Sequence, residues 1–233
     1  MTTFFTDLTE QPAPIRVLDG VYAPQADSEL LVDALRETNR AAGRRVADLC
    51  SGSGVVALAA AADGASSVTA FEMSARAVAC ARDNAAAAGF DVRVHRGPWS
   101  RAVEFEPFDV VTCNPPYVPH DPDGYEEVVT AAGPATAWDA GRDGRRVLDP
   151  LCERAPELLA EGGTILIVQS EFASIGRTVE DLRASGLDAE VVAERLIPFG
   201  PVLNARAEWL ERIGMLNPGR REERIAVVRA DRP

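Results

Sequence analysis

The sequence predicts a doubly wound α/β fold with a mostly parallel sheet, on three observations. Short apolar runs alternate with Ala- and Leu-rich helical segments between residues 27 and 228, the order that covers a parallel sheet on both faces. A glycine turn, Cys50-Ser51-Gly52-Ser53-Gly54, joins one such run to the helix after it. The run Asp109 to Cys113 stops in Asn114-Pro115-Pro116-Tyr117, where successive prolines end any ladder. Both motifs fall at C-terminal strand ends, the edge at which such sheets place ligands.

Residues 1–16, with Pro12 and Pro14 and no sustained periodicity, read as a flexible arm, and 17–233 as a single domain. Asp27 is placed to cap a helix whose Leu30, Leu31, Ala34 and Leu35 share a face, with Gly43 as the break that ends it. Arg45 to Leu49 is a strand and Val55 to Ala62 a helix. Val68 to Phe71 is a second strand ending at Glu72, Ala75 to Ala88 a helix stopped by Gly89, and Val92 to His95 a third strand. Asp109 to Cys113 is a buried strand, and the Pro-, Gly- and Asp-rich stretch from Val118 to Gly144 reads as a substrate-facing loop. Val147, Leu148, Leu151, Cys152, Ala155, Leu158 and Leu159 recur at helical spacing, with Pro156 near the end of that helix. Gly162-Gly163 then leads into a strand from Thr164 to Val168. A helix around Ile175 to Ala184, a strand at Glu190 to Leu196 and a final apolar run, Ile225 to Val228, complete the order.

A chain of 233 residues that is 46% hydrophobic can bury one good core. Its formal net charge of −12 repels a polyphosphate, which makes nucleic acid an unfavourable partner. Arg142, Arg145 and Arg146, and the cluster Arg220, Arg221 and Arg224, read as solvated surface. The cysteines at 50, 80, 113 and 152 lack the paired spacing of a metal site and read as reduced thiols. No apolar run of about eighteen residues exists, and no basic-then-apolar leader, so a cytoplasmic location away from membrane is expected.

The glycine turn suits a nucleotide-like cofactor, because Gly52 and Gly54 allow close backbone approach and positive φ. Asp48, just before the turn, suits a cation such as an ammonium group. Glu72 stands where a carboxylate accepts from both ribose hydroxyls. The spacing Gly52-x-Gly54-x-x-Ala57 also fits the dinucleotide fingerprint, so a nicotinamide-dependent oxidoreductase stays open on the loop alone. Asp48 argues against it, since a pyrophosphate gains nothing from a nearby carboxylate.

Asn114-Pro115-Pro116-Tyr117 offers two acceptors, the Asn114 side-chain oxygen and the Pro115 carbonyl. Converging on one NH₂, they hold both hydrogens and turn the nitrogen lone pair toward an incoming methyl group. An amide nitrogen gains most, because its delocalised lone pair makes it a poor nucleophile. The Tyr117 ring can stack on a planar acceptor. His120, beside Asp121, reads as a solvated loop histidine that the chemistry does not need.

With these residues in place, Asp48-Leu-Cys-Ser-Gly-Ser-Gly54 and Asn114-Pro-Pro-Tyr117 resemble the HemK family of glutamine N-methyltransferases. The likeness extends to Gly20 through Ser28 and Ala137 through Gly144, and its short form is similar to the Mtq2-like branch. It implies a class I, Rossmann-like sheet of seven strands with a reversed last strand. It implies S-adenosyl-L-methionine as cofactor and S-adenosyl-L-homocysteine as product. Cofactor contacts are implied at Tyr22, Gln25, Ser28, Asp48, Cys50, Gly52, Gly54, Glu72, Met73, Pro98, Trp99 and Asn114. Acceptor binding is implied at Asn114, Pro115, Pro116 and Tyr117, with Asn114, Pro115 and Tyr117 in the catalytic role. Gly97-Pro98-Trp99 stands where family members place an aspartate facing adenine, and Cys50 where they commonly have glycine; adenine is then held by packing on Trp99. The implied acceptor is a glutamine in a protein such as a translation release factor, and some related enzymes use a small activator subunit. A small-molecule or nucleobase nitrogen, and a non-catalytic cofactor-binding subunit, remain alternatives. The segment Pro198 to Trp209 reads as longer than in short members and is placed to shape the substrate pocket.

Overall fold

The computed structural model describes residues 15–122 and 134–233. Strands β1 (Arg45–Leu49), β2 (Ser67–Glu72), β3 (Val92–Arg96), β4 (Phe108–Cys113), β5 (Leu159–Ser170), β6 (Asp188–Pro198) and β7 (Glu222–Asp231) form one seven-stranded sheet in the order β3-β2-β1-β4-β5-β7-β6. The pairs from β3 to β5 are parallel, whereas β7 runs antiparallel to both neighbours. The doubly wound class and the reversed last strand are therefore as the sequence led one to expect. An antiparallel strand inserted between β5 and β6 also departs from the all-parallel dinucleotide-binding order.

Helices α1 (Ala26–Thr38), α2 (Val55–Ala62), α3 (Ala75–Ala88), α4 (Leu148–Leu158), α5 (Ile175–Ala184) and α6 (Pro201–Arg212) cover the sheet. Alternation along the strands splits the core into two apolar layers. Val46, Val110, Leu166 and Val168 pack with Leu31 and Leu35 of α1. Ala47, Val111, Ile165 and Ile167 pack with Leu151 and Leu158 of α4 and with α6.

The sequence reading needs correction at several places. Asp27 is not the cap of α1: Gln25 holds that position, and Asp27 lies buried in the first turn. The helix ends at Asn39, which takes a left-handed conformation (φ 49°), before Gly43. Gly43 instead bonds across to Gly64 at 2.8 Å and leads the chain into β1. β5 begins at Leu159 beside Phe108, so Gly162 and Gly163 lie within it and a register shift absorbs them. Pro156 stays inside α4, two residues before its last residue, where its missing N–H leaves the Cys152 carbonyl without the usual helical donor. The helix α6 was not assigned from sequence at all. Its start is a Gly200-Pro201 boundary, with proline in the first helical turn.

Arg16, assigned to the arm, is tied down: its N–H donates to Asn84 Oδ1 at 3.0 Å and its carbonyl accepts from Asn84 Nδ2 at 2.9 Å. The rest of the arm, residues 1–14, and residues 123–133 of the substrate-facing loop lie outside the described residues. Arg145 is not solvated but 1% exposed. It donates to Thr178 Oγ1 at 2.9 Å, Asp149 at 2.6 Å and Asp181 at 2.9 Å, joining α4 to α5. The other arginines of the two clusters do reach solvent, Arg220 with Glu171 and Arg221 with Glu211 as partners. Among the described residues no helix is long and apolar enough to cross a membrane.

Candidate active site

A cavity of about 550 Å³ opens at the C-terminal edge of β1, β2 and β4, and both sequence motifs line it. Its size falls within the usual range for small-molecule sites. The glycine turn forms one wall. Cys50, Gly52 and Gly54 all take positive φ, at 58°, 53° and 85°, and Gly54 N–H closes the turn on the Ser51 carbonyl at 2.7 Å.

Two carboxylates flank that turn. Glu72, at the end of β2, accepts from Gly52 N–H at 2.9 Å on one oxygen and from Ser74 N–H at 2.7 Å on the other. Each oxygen keeps a free lone pair for a further donor. Asp48 is 1% exposed and accepts from Thr112 Oγ1 at 2.9 Å and from Ala57 N–H at 3.2 Å. Burial pushes its pKa up to about 7, with the Glu72 charge adding to the rise. Among the described residues no cation pairs with it, so it is a buried carboxylate facing a cavity without a counter-ion. Ser51 Oγ is likewise buried with no hydrogen-bond partner there.

The opposite corner is organised by Asp27. Its Oδ2 accepts from Asn114 Nδ2 at 3.0 Å, from the Tyr117 hydroxyl at 3.0 Å and from the Tyr22 hydroxyl at 3.4 Å. Its Oδ1 accepts from Ser28 N–H at 2.6 Å, and Ser28 Oγ lies 3.3 Å from Asn114 Nδ2. Burial and the Asp27 charge hold both tyrosines well above the usual phenol range, so they remain neutral donors. A carboxylate can only accept, which forces the amide end of Asn114 toward it and leaves Oδ1 as the open acceptor. Among the described residues no donor bonds Asn114 Oδ1 or the Pro115 carbonyl.

Tyr22, Ser28, Asp48, Cys50, Gly52 and Glu72 are thus gathered on one cavity. Met73, Trp99, Asn114, Pro115, Pro116 and Tyr117 line it as well. Gln25, Gly54 and Pro98 do not. Gln25 sits at the start of α1 and hydrogen-bonds the Tyr22 hydroxyl from outside. Gly54 faces α3, where a Cβ would come within 3.1 Å of the Ala81 Cβ, so it serves close helix packing and the turn. Pro98 precedes the short 3₁₀ turn that begins at Trp99 and accepts from Arg101 N–H at 3.0 Å.

The far wall comes from the stretch that the sequence reads as substrate-facing, Val118 to Gly144, with Arg146, which the sequence leaves as solvated surface, joining it. Trp138, Asp139 and Arg146 line it, carried by a stretch whose Trp138 carbonyl accepts from Val118 N–H at 2.9 Å. His120 is not simply solvated, since its Nδ1 lies 2.6 Å from Asp139 Oδ2. Burial works upward on Asp139, yet bonds from His120 and Gly141 hold its pKa below the ordinary carboxylate value. Asp27 was missed as a site residue. A signal for it existed: it falls four residues before Leu31 and eight before Leu35, on the stripe that α1 buries.

Comparison with known proteins agrees with this geometry. The family model described as "Methyltransferase small domain" matches residues 14–133. A Methanocaldococcus jannaschii protein assigned as an N5-glutamine methyltransferase is 30% identical over 179 residues, covering 77% of this chain and 87% of its own length. The release factor glutamine methyltransferase of Deinococcus radiodurans is 34% identical over 170 residues, covering 72% of this chain but only 60% of its own length. The chain therefore spans most of the archaeal relative and little over half of the bacterial one. Among solved structures, E. cuniculi Mtq2, in its complex with Trm112 that methylates the eRF1 termination factor, superposes with a TM-score of 0.61 at 18% identity. That superposition covers 92% of this chain and 99% of Mtq2. Sheet order, cavity and relatives converge: the chain belongs to the methyltransferase small domain family, as a class I, HemK-like methyltransferase.

Proposed function

We propose that this protein transfers a methyl group from S-adenosyl-L-methionine to the side-chain amide nitrogen of a glutamine in a protein, a translation release factor being the acceptor that the relatives' names point to. The cavity's own residues fit that cofactor. Asp48 is a buried carboxylate lacking a cation and suits the amino-acid ammonium. Glu72 has two acceptor positions free for ribose hydroxyls, and Ser51 Oγ is an unpartnered buried hydroxyl on the same wall. Met73 and Trp99 supply apolar surface for a purine. When bound, the cofactor supplies a methyl group activated by a sulfonium.

Every remaining task falls to the chain. Asn114 Oδ1 and the Pro115 carbonyl accept the two amide hydrogens of the acceptor and fix the direction of its lone pair. As that nitrogen becomes tetrahedral and gains positive charge, the same two acceptors bind it more strongly than they bind the planar amide, which lowers the barrier selectively; one of the two held protons then leaves to solvent, giving the neutral N-methyl amide. Tyr117 and Tyr22, bonded to Asp27, hold the Asn114 anchor in register. The observation that carries the reading is the Asp27–Asn114 bond, because it presents an acceptor, not a donor, to an incoming NH₂ group.

The test pairs calorimetry with labelled-methyl transfer. S-adenosyl-L-homocysteine should bind and a nicotinamide dinucleotide should not; a glutamine peptide should take up label from the intact enzyme but not from Asn114→Ala. Nicotinamide binding, or equal transfer by the variant, would overturn the reading.

A further inference from the structure

We propose that Arg206, on α6, is a positioning residue that sets acceptor recognition by stapling the stem that carries the far wall of the cavity. The inference rests on the methyl-transfer reading and deepens it. The stem starts one residue past Tyr117. Val118 N–H donates to Trp138 O at 2.9 Å, Ala140 N–H to Val118 O at 3.0 Å, and His120 N–H to Gly141 O at 2.7 Å. A two-strand pairing this short is marginal in water by itself, so its register needs support from elsewhere.

Arg206 touches both sides of the stem. One guanidinium nitrogen donates to the Pro119 carbonyl on the first side. The other lies 3.4 Å from Asp139 Oδ2 on the second, and the guanidinium carbon sits 4.7 Å from the centroid of the Trp138 ring. A planar fork with several donors and a stacking face can meet all three groups at once, which an ammonium cannot. The side chain is 13% exposed, and burial lowers its pKa without removing its charge.

No residue of α6 lines the cavity. Arg206 therefore acts through Trp138 and Asp139, which do line it and which are bonded to the exit of the Asn114–Tyr117 corner, not to the glycine turn. Loosening the staple should disturb the acceptor side and spare the cofactor side. The segment from Pro198 to Trp209 is thereby given work: it closes β6, turns at Gly200 and enters α6, which delivers this guanidinium.

The test uses the full chain with Arg206→Ala and Arg206→Lys. For Arg206→Ala the KM for a glutamine-bearing protein acceptor should rise about ten-fold while kcat stays within about two-fold and the dissociation constant for S-adenosyl-L-homocysteine is unchanged. Arg206→Lys should recover only part of the loss. An unchanged acceptor KM, or a cofactor constant that weakens in step with it, overturns the proposal. Amide exchange reads the stem without any acceptor: Val118, His120 and Ala140 should lose protection in Arg206→Ala while β1 keeps its own. If the unaltered enzyme methylates no glutamine, the functional reading fails, and exchange alone then decides the staple, with unchanged protection at those amides overturning it.

Discussion

Asn114 Nδ2 donates to Asp27 Oδ2 at 3.0 Å, a bond spanning 87 residues of sequence that decides which end of the Asn114 amide faces the cavity. Asp27→Ala removes the group that enforces this orientation, and Asp27→Asn permits the flipped amide. In both variants kcat for methyl transfer should fall about 100-fold, the usual cost of misplacing one transition-state contact, with cofactor affinity nearly unchanged. Steady-state kinetics and calorimetry on the same preparations check this.

Asp48 links pH, stability and cofactor binding. Its folded pKa of about 7 lies above the unfolded value, so the stability it contributes is complete only below about pH 4 and is gone once pH rises past 7. Asp48→Asn should therefore raise the stability of the ligand-free protein at pH 8 by roughly 2–4 kcal/mol, measured by urea unfolding. The same variant should lose cofactor binding. In the unaltered protein, cofactor affinity should strengthen as pH rises through 7, because only the ionised carboxylate attracts an ammonium.

Cys50 holds a left-handed backbone at φ 58°, which costs a side-chain-bearing residue about 1 kcal/mol relative to glycine. Cys50→Gly should raise the melting temperature by a few degrees and leave cofactor affinity within about two-fold. A melting temperature that falls would show that thiol packing outweighs strain.

Arg145 buries a guanidinium between α4 and α5 on the carboxylates of Asp149 and Asp181. Arg145→Ala removes one bond each from the buried Thr178 hydroxyl and the Ala173 carbonyl, leaving both with Gln169 alone, and removes a cation that Asp149 and Asp181 share. Urea unfolding should show a loss of about 3 kcal/mol.

Where local chemistry alone fixes an element, the sequence was legible. The β1 strand, the glycine turn, α2, and α3 with its Gly89 stop were each readable from propensity and backbone permission. So was the placing of the Asn114 corner and the glycine turn on one sheet edge, because strand ends in a parallel sheet share an edge. Long-range polar pairing was not legible. Asp27 resembles a cap until Asn114, Tyr117 and Tyr22 converge on it from distant segments. Arg145 resembles surface charge until α5 closes over it; Val202, Leu203, Ala207 and Leu210 do share one face of α6, but nothing local announces that Arg206 will grip the stem beside Trp138.

The central claim is that the nitrogen methylated is a glutamine amide, held by Asn114 and Pro115. Tandem mass spectrometry of a translation release factor, incubated with the enzyme and isotope-labelled S-adenosyl-L-methionine, tests it most directly. One labelled methyl on a glutamine side chain, absent with Asn114→Ala, is the expected result. Label on another residue type or on a nucleobase, or equal label from the variant, would contradict it.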